Sequence, residues 1–378
     1  MKDLLKKIFK PKYEPFNEIR ISSLAILNNI DVLLEKQKGL EMFPVLKSNA
    51  YGHGIAEMCQ ILNKSKVKIV AVDSYPEAQI VYKYFKGEVL IIGEMPQKAY
   101  NYTKFNRSHF VVYKEETIKY LASLNKKIKV HLFVNSGMNR EGINDINLFI
   151  KNNKKYLDKL NICGFCSHLG AADEYDSKLE FNNKQLNKFF DSLDVVRSFG
   201  FKPKYIHMNN SSGSLKIVDS RFTAFRPGLS VYGYNPFEDD KITLKPALEL
   251  YSTLNHVFSI KAGESVSYNN NFIANKDTHI GLIPFGYFEG LDRSLSNKAE
   301  LKVLNNNIFY AKIAGSVCMN LSCLNLGKNN ISNNTKVQII SKNKEDKNSL
   351  YNLKKISNLS YYEILVRLQA NIRRKIVD

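Results

Sequence analysis

Apolar runs of strand length recur through the first 235 residues, at 43–48 (FPVLKS), 68–73 (KIVAVD), 88–93 (EVLIIG), 109–113 (HFVVY), 129–135 (KVHLFVN), 162–168 (ICGFCSH), 205–210 (YIHMNN) and 225–233 (FRPGLSVYG). Between several of them the apolar residues change to a helical period, at 54–64, 115–124, 144–158 and 180–199. Strands apolar on both faces and alternating with helices predict a parallel sheet covered by helices, and eight such units predict a closed α/β structure, a (β/α)8 TIM-type barrel. After about residue 240 the runs become short and alternating (HVFSI, HIGLIPFGY, AELKVL, IFYAKIAG, KVQIIS), with polar clusters such as KNNISNNTK between them. That pattern predicts a C-terminal, mainly β domain. The expected division is a basic leader over 1–16, the barrel over 17–239 and the β domain over 240–378, with the boundary near Glu238 to Lys241.

A chain of 378 residues with 44% hydrophobic residues can bury two cores. No uninterrupted apolar stretch approaches the length that spans a bilayer, and MKDLLKKIFKPKYEP breaks every apolar pair with charge. A cytoplasmic protein with no membrane partner is expected. The net charge of +19 would suit a nucleic-acid binder, but only ten of the 55 basic residues are arginine, and the lysines spread along the whole chain with many asparagines and isoleucines. This reads as a coding bias on solvated positions, so no nucleic-acid partner is expected, although a positive surface still steers small anions. Five cysteines without a secretory signal form no disulfide framework. The Cys163–Cys166 pair lies in what reads as a buried strand, and no metal site is expected there.

In a barrel of this kind the working groups come from the C-terminal ends of the strands. By that rule Lys47, Arg140, His168, Asn210, Ser211 and the Arg226-Pro227-Gly228 turn converge on one mouth. A lysine in a low-dielectric mouth beside other cations gives up its proton readily and becomes a nucleophile for carbonyls. The NSSG and RPGL turns offer hydroxyls and backbone N–H groups of the kind that cradle phosphate. Together they point to a phosphorylated aldehyde cofactor, pyridoxal 5'-phosphate.

These residues fall in ordered motifs: VLKSNAYGHG, SGMNREGI, SHLGAADE, HMNNSS, FRPGLSVYG, ESVSY, GYFEG, GSVCMN and YYEIL. In them the chain resembles the alanine racemase family, pyridoxal-phosphate enzymes of fold type III, from about Ile19 to Arg374. The resemblance implies an amino-acid racemase with two catalytic bases. Lys47 would carry the cofactor and act on one face of the substrate, and Tyr268 of the partner subunit would act on the other. It further implies that Tyr51, Ser211, the backbone of Gly228 and Leu229, and Tyr362 hold the phosphate, with Asn210 beside them. Arg226 would face the pyridine nitrogen, and His168 would hold Arg226 and help set Tyr268. Arg140 and the backbone of Met319 would bind the substrate carboxylate, and Asp173, Tyr287 and Arg293 would line the access corridor. A homodimer follows, because Lys47 and Tyr268 of one chain would serve different sites. D-Alanine for cell-wall peptidoglycan is the expected use.

The sequence also departs from the family pattern. Phe133 stands where the family commonly has a carbamylated lysine, Asn135 and Asn320 replace acids, and Phe288-Glu289 stand in GYFEG where the family has Ala-Asp. These changes leave Arg140 with fewer anchors, so an asparagine amide or a chloride is the expected substitute. The competing readings are a serine, lysine or broad-range racemase, a non-catalytic pyridoxal-phosphate-binding barrel, and a decarboxylase of the same fold type. Arg226 opposes the decarboxylase, which uses an acid at that place. Tyr268 and a full second domain oppose the non-catalytic barrel.

Overall fold

The computed structural model describes residues 13–237 and 242–378. Most of the expected basic leader, and the expected boundary at 238–241, lie outside the described residues.

The first strand, β1 (Glu18–Ser22), is set apart from the eight that follow. Those are β2 (Glu41–Met42), β3 (Ile69–Val72), β4 (Glu88–Ile91), β5 (Ser108–Val112), β6 (Lys129–Phe133), β7 (Asn161–Cys166), β8 (Tyr205–His207) and β9 (Ala224–Phe225). Strands β3 to β8 pair in parallel in chain order, and β2 pairs in parallel with β9. Backbone bonds join the two sets: Leu46 N–H to Ala71 O (2.7 Å) and Ala71 N–H to Pro44 O (2.8 Å) on one side, Thr223 N–H to Ile206 O (3.0 Å) and Arg226 N–H to Asn209 O (2.9 Å) on the other. The eight strands therefore close into a barrel. Strands β3 and β5 are buried at every position, as strands covered by helices must be. Phe43, Val45, Ile69, Ala71, Leu90, Val111, Phe133, Cys166, Tyr205 and Ala224 fill the interior. The helices at Ile55–Leu62, Glu115–Ser123, Ile146–Leu157 and Leu179–Ser198 match the expected periodic segments within one or two residues at either end.

The eighth expected strand is much shorter than its apolar run. Pro227 has no N–H to continue a ladder, so β9 ends at Phe225 and the rest of FRPGLSVYG becomes a 3₁₀ turn, Leu229–Tyr232.

Among the described residues, this barrel is one compact unit, residues 22–237 and 242–247 with 376–378, and the other comprises 13–21 with 248–375. The second contains a nine-stranded, mainly antiparallel sheet in the order β11-β14-β17-β16-β15-β18-β10-β1-β19. Here β10 is Leu248–Thr253, β11 His256–Ile260, β14 Thr278–Ile283, β15 Glu300–Leu304, β16 Phe309–Ile313, β17 Ser322–Gly327, β18 Lys336–Ile340 and β19 Arg373–Val377, and β12 (Ser265–Val266) pairs separately with β13 (Phe272–Ile273). Residues 17–21, expected with the barrel, thus belong to the other unit. Ile19 and Ile21 are fully buried while Glu18 and Arg20 are only half-buried, the alternation of an antiparallel strand, and Ile19 pairs with Leu250.

Candidate active site

The chain after Phe43 passes through Val45, which bridges Ala71, and then turns left-handed. Ser48, Asn49, Ala50 and Tyr51 all have φ between 50° and 55°, four consecutive residues with side chains in a region that costs roughly 1–2 kcal/mol each. The turn is held from outside by Glu77, which accepts from Ser48 N–H (2.6 Å) and from Asp73 N–H (2.8 Å). Its effect is to end the first strand abruptly, with Lys47 at the C-terminal rim and Tyr51 turned back into the barrel. Lys47 Nζ lies 3.6 Å from Asp73 Oδ1, so its nearest charge partner is an anion rather than the cations expected from sequence. Tyr51 packs against Tyr232, and burial, with Glu77 adding to it, pushes its hydroxyl up to about 12. It is a neutral hydrogen-bonding group.

Two further turns meet Tyr51. Asn210 caps the helix Ser211–Lys216, its side chain accepting from Gly213 N–H (2.9 Å). The buried Ser211 hydroxyl oxygen accepts from the N–H groups of Gly228 (2.9 Å) and Ser230 (3.2 Å). Gly228 has no alternative: a Cβ there would lie 2.6 Å from the Tyr51 hydroxyl oxygen. Tyr51, Ser211, Gly228 and Leu229 are thus drawn into one hydroxyl-rich cradle. The next helix residue, Ser212, donates to Asp173, which is otherwise exposed.

Arg226 is buried at the end of β9, which lowers the hold on its proton. Its guanidinium donates to Ser167 O (2.6 Å), to His207 O (3.0 Å) and to His207 Nδ1. The expected His168 contact is therefore replaced by His207, an inward-facing residue of β8 that sequence reasoning passed over although it alternates with Tyr205. His168 is surrounded instead by positive charge. Burial first, then Arg226, Arg140 and Lys47, press its ring down to about 3, so it is neutral.

Arg140 is more than half exposed and donates twice to Glu141 Oε1 (3.2 and 2.7 Å), so the expected amide anchor is replaced by a neighbouring acid. Asn135 instead organises its own loop, accepting from Gly137 and Asn139 N–H (both 3.1 Å) and donating to the Asn139 and Asn144 side chains. Phe133 packs in the barrel core beside Tyr113.

In the second unit, three motifs come together. Tyr268 opens a 3₁₀ turn between Ser267 (φ 69°) and Asn269 (φ 64°), and the residue is 65% exposed. The turn is tied to the GSVCMN loop through Ser267 Oγ to Ser316 O (2.7 Å) and Asn271 Nδ2 to Ser316 Oγ (3.0 Å). That loop also accepts Tyr287 N–H at Cys318 O (3.0 Å) and Phe288 N–H at Met319 O (2.9 Å). Tyr268, Tyr287, Phe288 and Met319 are all exposed. Glu289 joins GYFEG to Asn320, accepting from the Asn320 amide (2.8 Å) and from Gly286 N–H (2.8 Å). Arg293 is exposed on a separate 3₁₀ turn, and Tyr362 is half-buried in the first turn of the helix Tyr361–Val366.

A lysine at the rim of a β/α barrel, a hydroxyl-rich cradle in the turns that meet Tyr51 and a buried arginine after β9 together define a class: a barrel enzyme built for carbonyl chemistry on a phosphorylated cofactor. The comparisons carry this to a family. Residues 21–236 match the alanine racemase N-terminal domain and residues 247–376 the alanine racemase C-terminal domain. An alanine racemase of Borreliella burgdorferi is 31% identical over 370 residues, 93% of this chain and 94% of that one. The crystal structure of alanine racemase from Bacillus anthracis with bound L-Ala-P superposes with a TM-score of 0.88 at 26% identity, covering 97% of this chain and 96% of that chain. An alanine racemase from Bartonella henselae with covalently bound pyridoxal phosphate shares the fold, with a TM-score of 0.83 at 23% identity, covering 96% of this chain and 100% of that chain. The chain belongs to the alanine racemase family, whose enzymes are pyridoxal-phosphate-dependent isomerases.

The residues present fit that cofactor. The Ser230 hydroxyl and both polar atoms of the Asn209 side-chain amide are buried with no hydrogen-bond partner among the described residues, groups that a bound polar molecule would satisfy.

Proposed function

We propose that the protein interconverts L-alanine and D-alanine with two bases on opposite faces of the substrate, Lys47 and Tyr268 of the partner subunit. The observation that carries this reading is the left-handed turn that holds Lys47 at the barrel rim within one loop of Tyr51. Pyridoxal phosphate, when bound, supplies the electron sink that makes the α-proton removable. The chain does the rest. Tyr51, Ser211, the Gly228 and Leu229 N–H groups and Tyr362 hold the phosphate, and Asn210 keeps the Ser211 turn in shape. Arg226 donates to the pyridine nitrogen, which leaves that ring less electron-poor and limits side reactions. Arg140, anchored on Glu141, holds the substrate carboxylate with the Met319 backbone. His168, neutral, accepts or donates a hydrogen bond next to Tyr268 without adding charge. Asp173, Tyr287 and Arg293 line the corridor. The enzyme works as a cytoplasmic homodimer and its product supplies D-alanine for peptidoglycan.

The deciding experiment measures D-amino-acid product from L-alanine, L-serine and L-lysine in deuterium oxide. Alanine is expected to turn over fastest, with solvent deuterium at Cα. In Tyr268→Phe turnover should collapse while bound cofactor remains. A protein that holds no cofactor, or one in which Lys47→Ala retains activity, overturns the reading.

A further inference from the structure

Three buried histidines on β5, β6 and β8 form a continuous file from the barrel's N-terminal end to Arg226. Glu88, the first residue of β4, accepts from His109 Nε2 (2.5 Å). His109 Nδ1 meets His131 Nε2 at 3.0 Å, His131 Nδ1 meets His207 Nε2 at 2.7 Å, and His207 Nδ1 meets the Arg226 guanidinium. The file is built in. Gly164 on β7 has to be glycine because a Cβ would lie 2.1 Å from His131 Nδ1, and Tyr205 stacks on the His131 ring with centroids 5.7 Å apart.

The protons of this file can be placed by its two ends. An arginine can only donate, and an ionised carboxylate can only accept. Between them each neutral imidazole has one acceptor and one donor, so every ring accepts at Nδ1 and donates at Nε2. Reversing or protonating any one ring would set two N–H groups face to face. Burial favours the neutral form of all three rings, and Lys129 (2.6 Å) and His109 favour the ionised form of Glu88.

We propose that Glu88 is a positioning residue for the reaction proposed above: through the fixed tautomers of His109, His131 and His207 it orients and polarises the Arg226 donor at the other end of the barrel. Glu88 touches neither substrate nor cofactor, and its effect passes only along the hydrogen-bonded file. A metal would require a different state of the same atoms. His109, His131 and Cys163 each offer one ligand atom within 4.8 Å of the others, but a metal that took a nitrogen from the His109–His131 contact would break the file there, so metal and file are alternatives.

The test uses histidine-labelled holoenzyme and nitrogen-15 NMR, with the alanine racemisation assay run alongside. Wild type should show His109, His131 and His207 neutral, with Nδ1 bare and Nε2 protonated. Glu88→Gln, at the half-exposed end of the file, should lower kcat about tenfold with KM within about twofold and cofactor content unchanged, and should shift the His207 signals, the scale expected when a working residue loses its outer partner. Full kcat in Glu88→Gln with unmoved His207 signals overturns the proposal, as does any ring found with Nδ1–H, or one equivalent of zinc lost on Cys163→Ser. A wild type that racemises nothing sinks the proposed function instead, and the NMR pattern tells the two failures apart.

Discussion

Gly228 shows how one missing side chain can decide a site. A Cβ there would press on the Tyr51 hydroxyl at 2.6 Å, where Tyr51, Ser211 and two N–H groups converge. Gly228→Ala should therefore cost the cofactor-free protein about 1–3 kcal/mol in urea unfolding, the usual strain of overpacking, and should also weaken cofactor binding by pushing the Tyr51 hydroxyl out of place. Titration of the cofactor chromophore checks this, and equal affinity in variant and wild type would refute the cradle. The histidines give a second prediction at this scale. His168 is held at about 3 against an ordinary 6.5, and His109, His131 and His207 are lowered too. Between pH 6.5 and about 5 the unfolded chain takes up protons that the folded chain refuses. Stability is thus full above 6.5 and falls on acidification, by up to about 1.4 kcal/mol per pH unit for each such ring. This window lies above the carboxylates, so urea midpoints at pH 7.5, 6.5 and 5.5 read the histidines directly. A midpoint constant across that range would contradict their neutrality.

At the scale of elements, the turn after β2 is where local sequence and local geometry disagree most. SNAY contains no glycine, yet all four residues are left-handed. Glu77 on a neighbouring helix and the burial of Ala50 and Tyr51 hold the conformation against its local preference. Because Ser48 is exposed, substitution there isolates the backbone term. Ser48→Gly should be as stable as wild type or more so, and Ser48→Val should fall about 1–2 kcal/mol below Ser48→Gly in urea unfolding, since a β-branched residue resists that region most. Equal midpoints for the two variants would mean the turn is not strained. The same turn marks what the sequence could tell. The apolar run FPVL predicts a strand over 43–48 with Lys47 at its end, because period and polarity are local signals. The regular pairing lies earlier, at Glu41–Met42, and FPVL continues it only through single bonds and the Val45–Ala71 bridge. The left-handed path cannot be read there, because a residue on another helix imposes it. His207 was readable from its alternation with Tyr205, but the partners that give it meaning lie on β6 and β9. Arg140 lies on the loop between β6 and the next helix, but its anchor there is the adjacent Glu141 rather than an amide or a chloride. Strand β1 was harder still, since four residues of alternation do not say which sheet they join.

For the whole molecule, the decisive question is how the two bases are shared. Each unit carries half of the proposed machinery: the barrel has Lys47, and the β unit presents Tyr268 on a surface where Tyr287, Phe288 and Met319 are also exposed. Exposed apolar side chains grouped around a required base are what a symmetric dimer with shared sites would bury. This predicts complementation. Lys47→Ala and Tyr268→Phe should each be inactive alone. When the two are mixed at equal amounts, unfolded and refolded together, random pairing makes about half of the dimers mixed. In a mixed dimer one site collects both defects and the other collects neither, so about a quarter of wild-type activity should return. If Tyr268 served its own chain's site, every site in every mixed dimer would carry one defect, and refolding would restore nothing. A monomer in sedimentation velocity would give the same silence for a different reason, so the mixed sample is sized before it is assayed. Recovery in a sample sized as a dimer means that the two bases come from different chains.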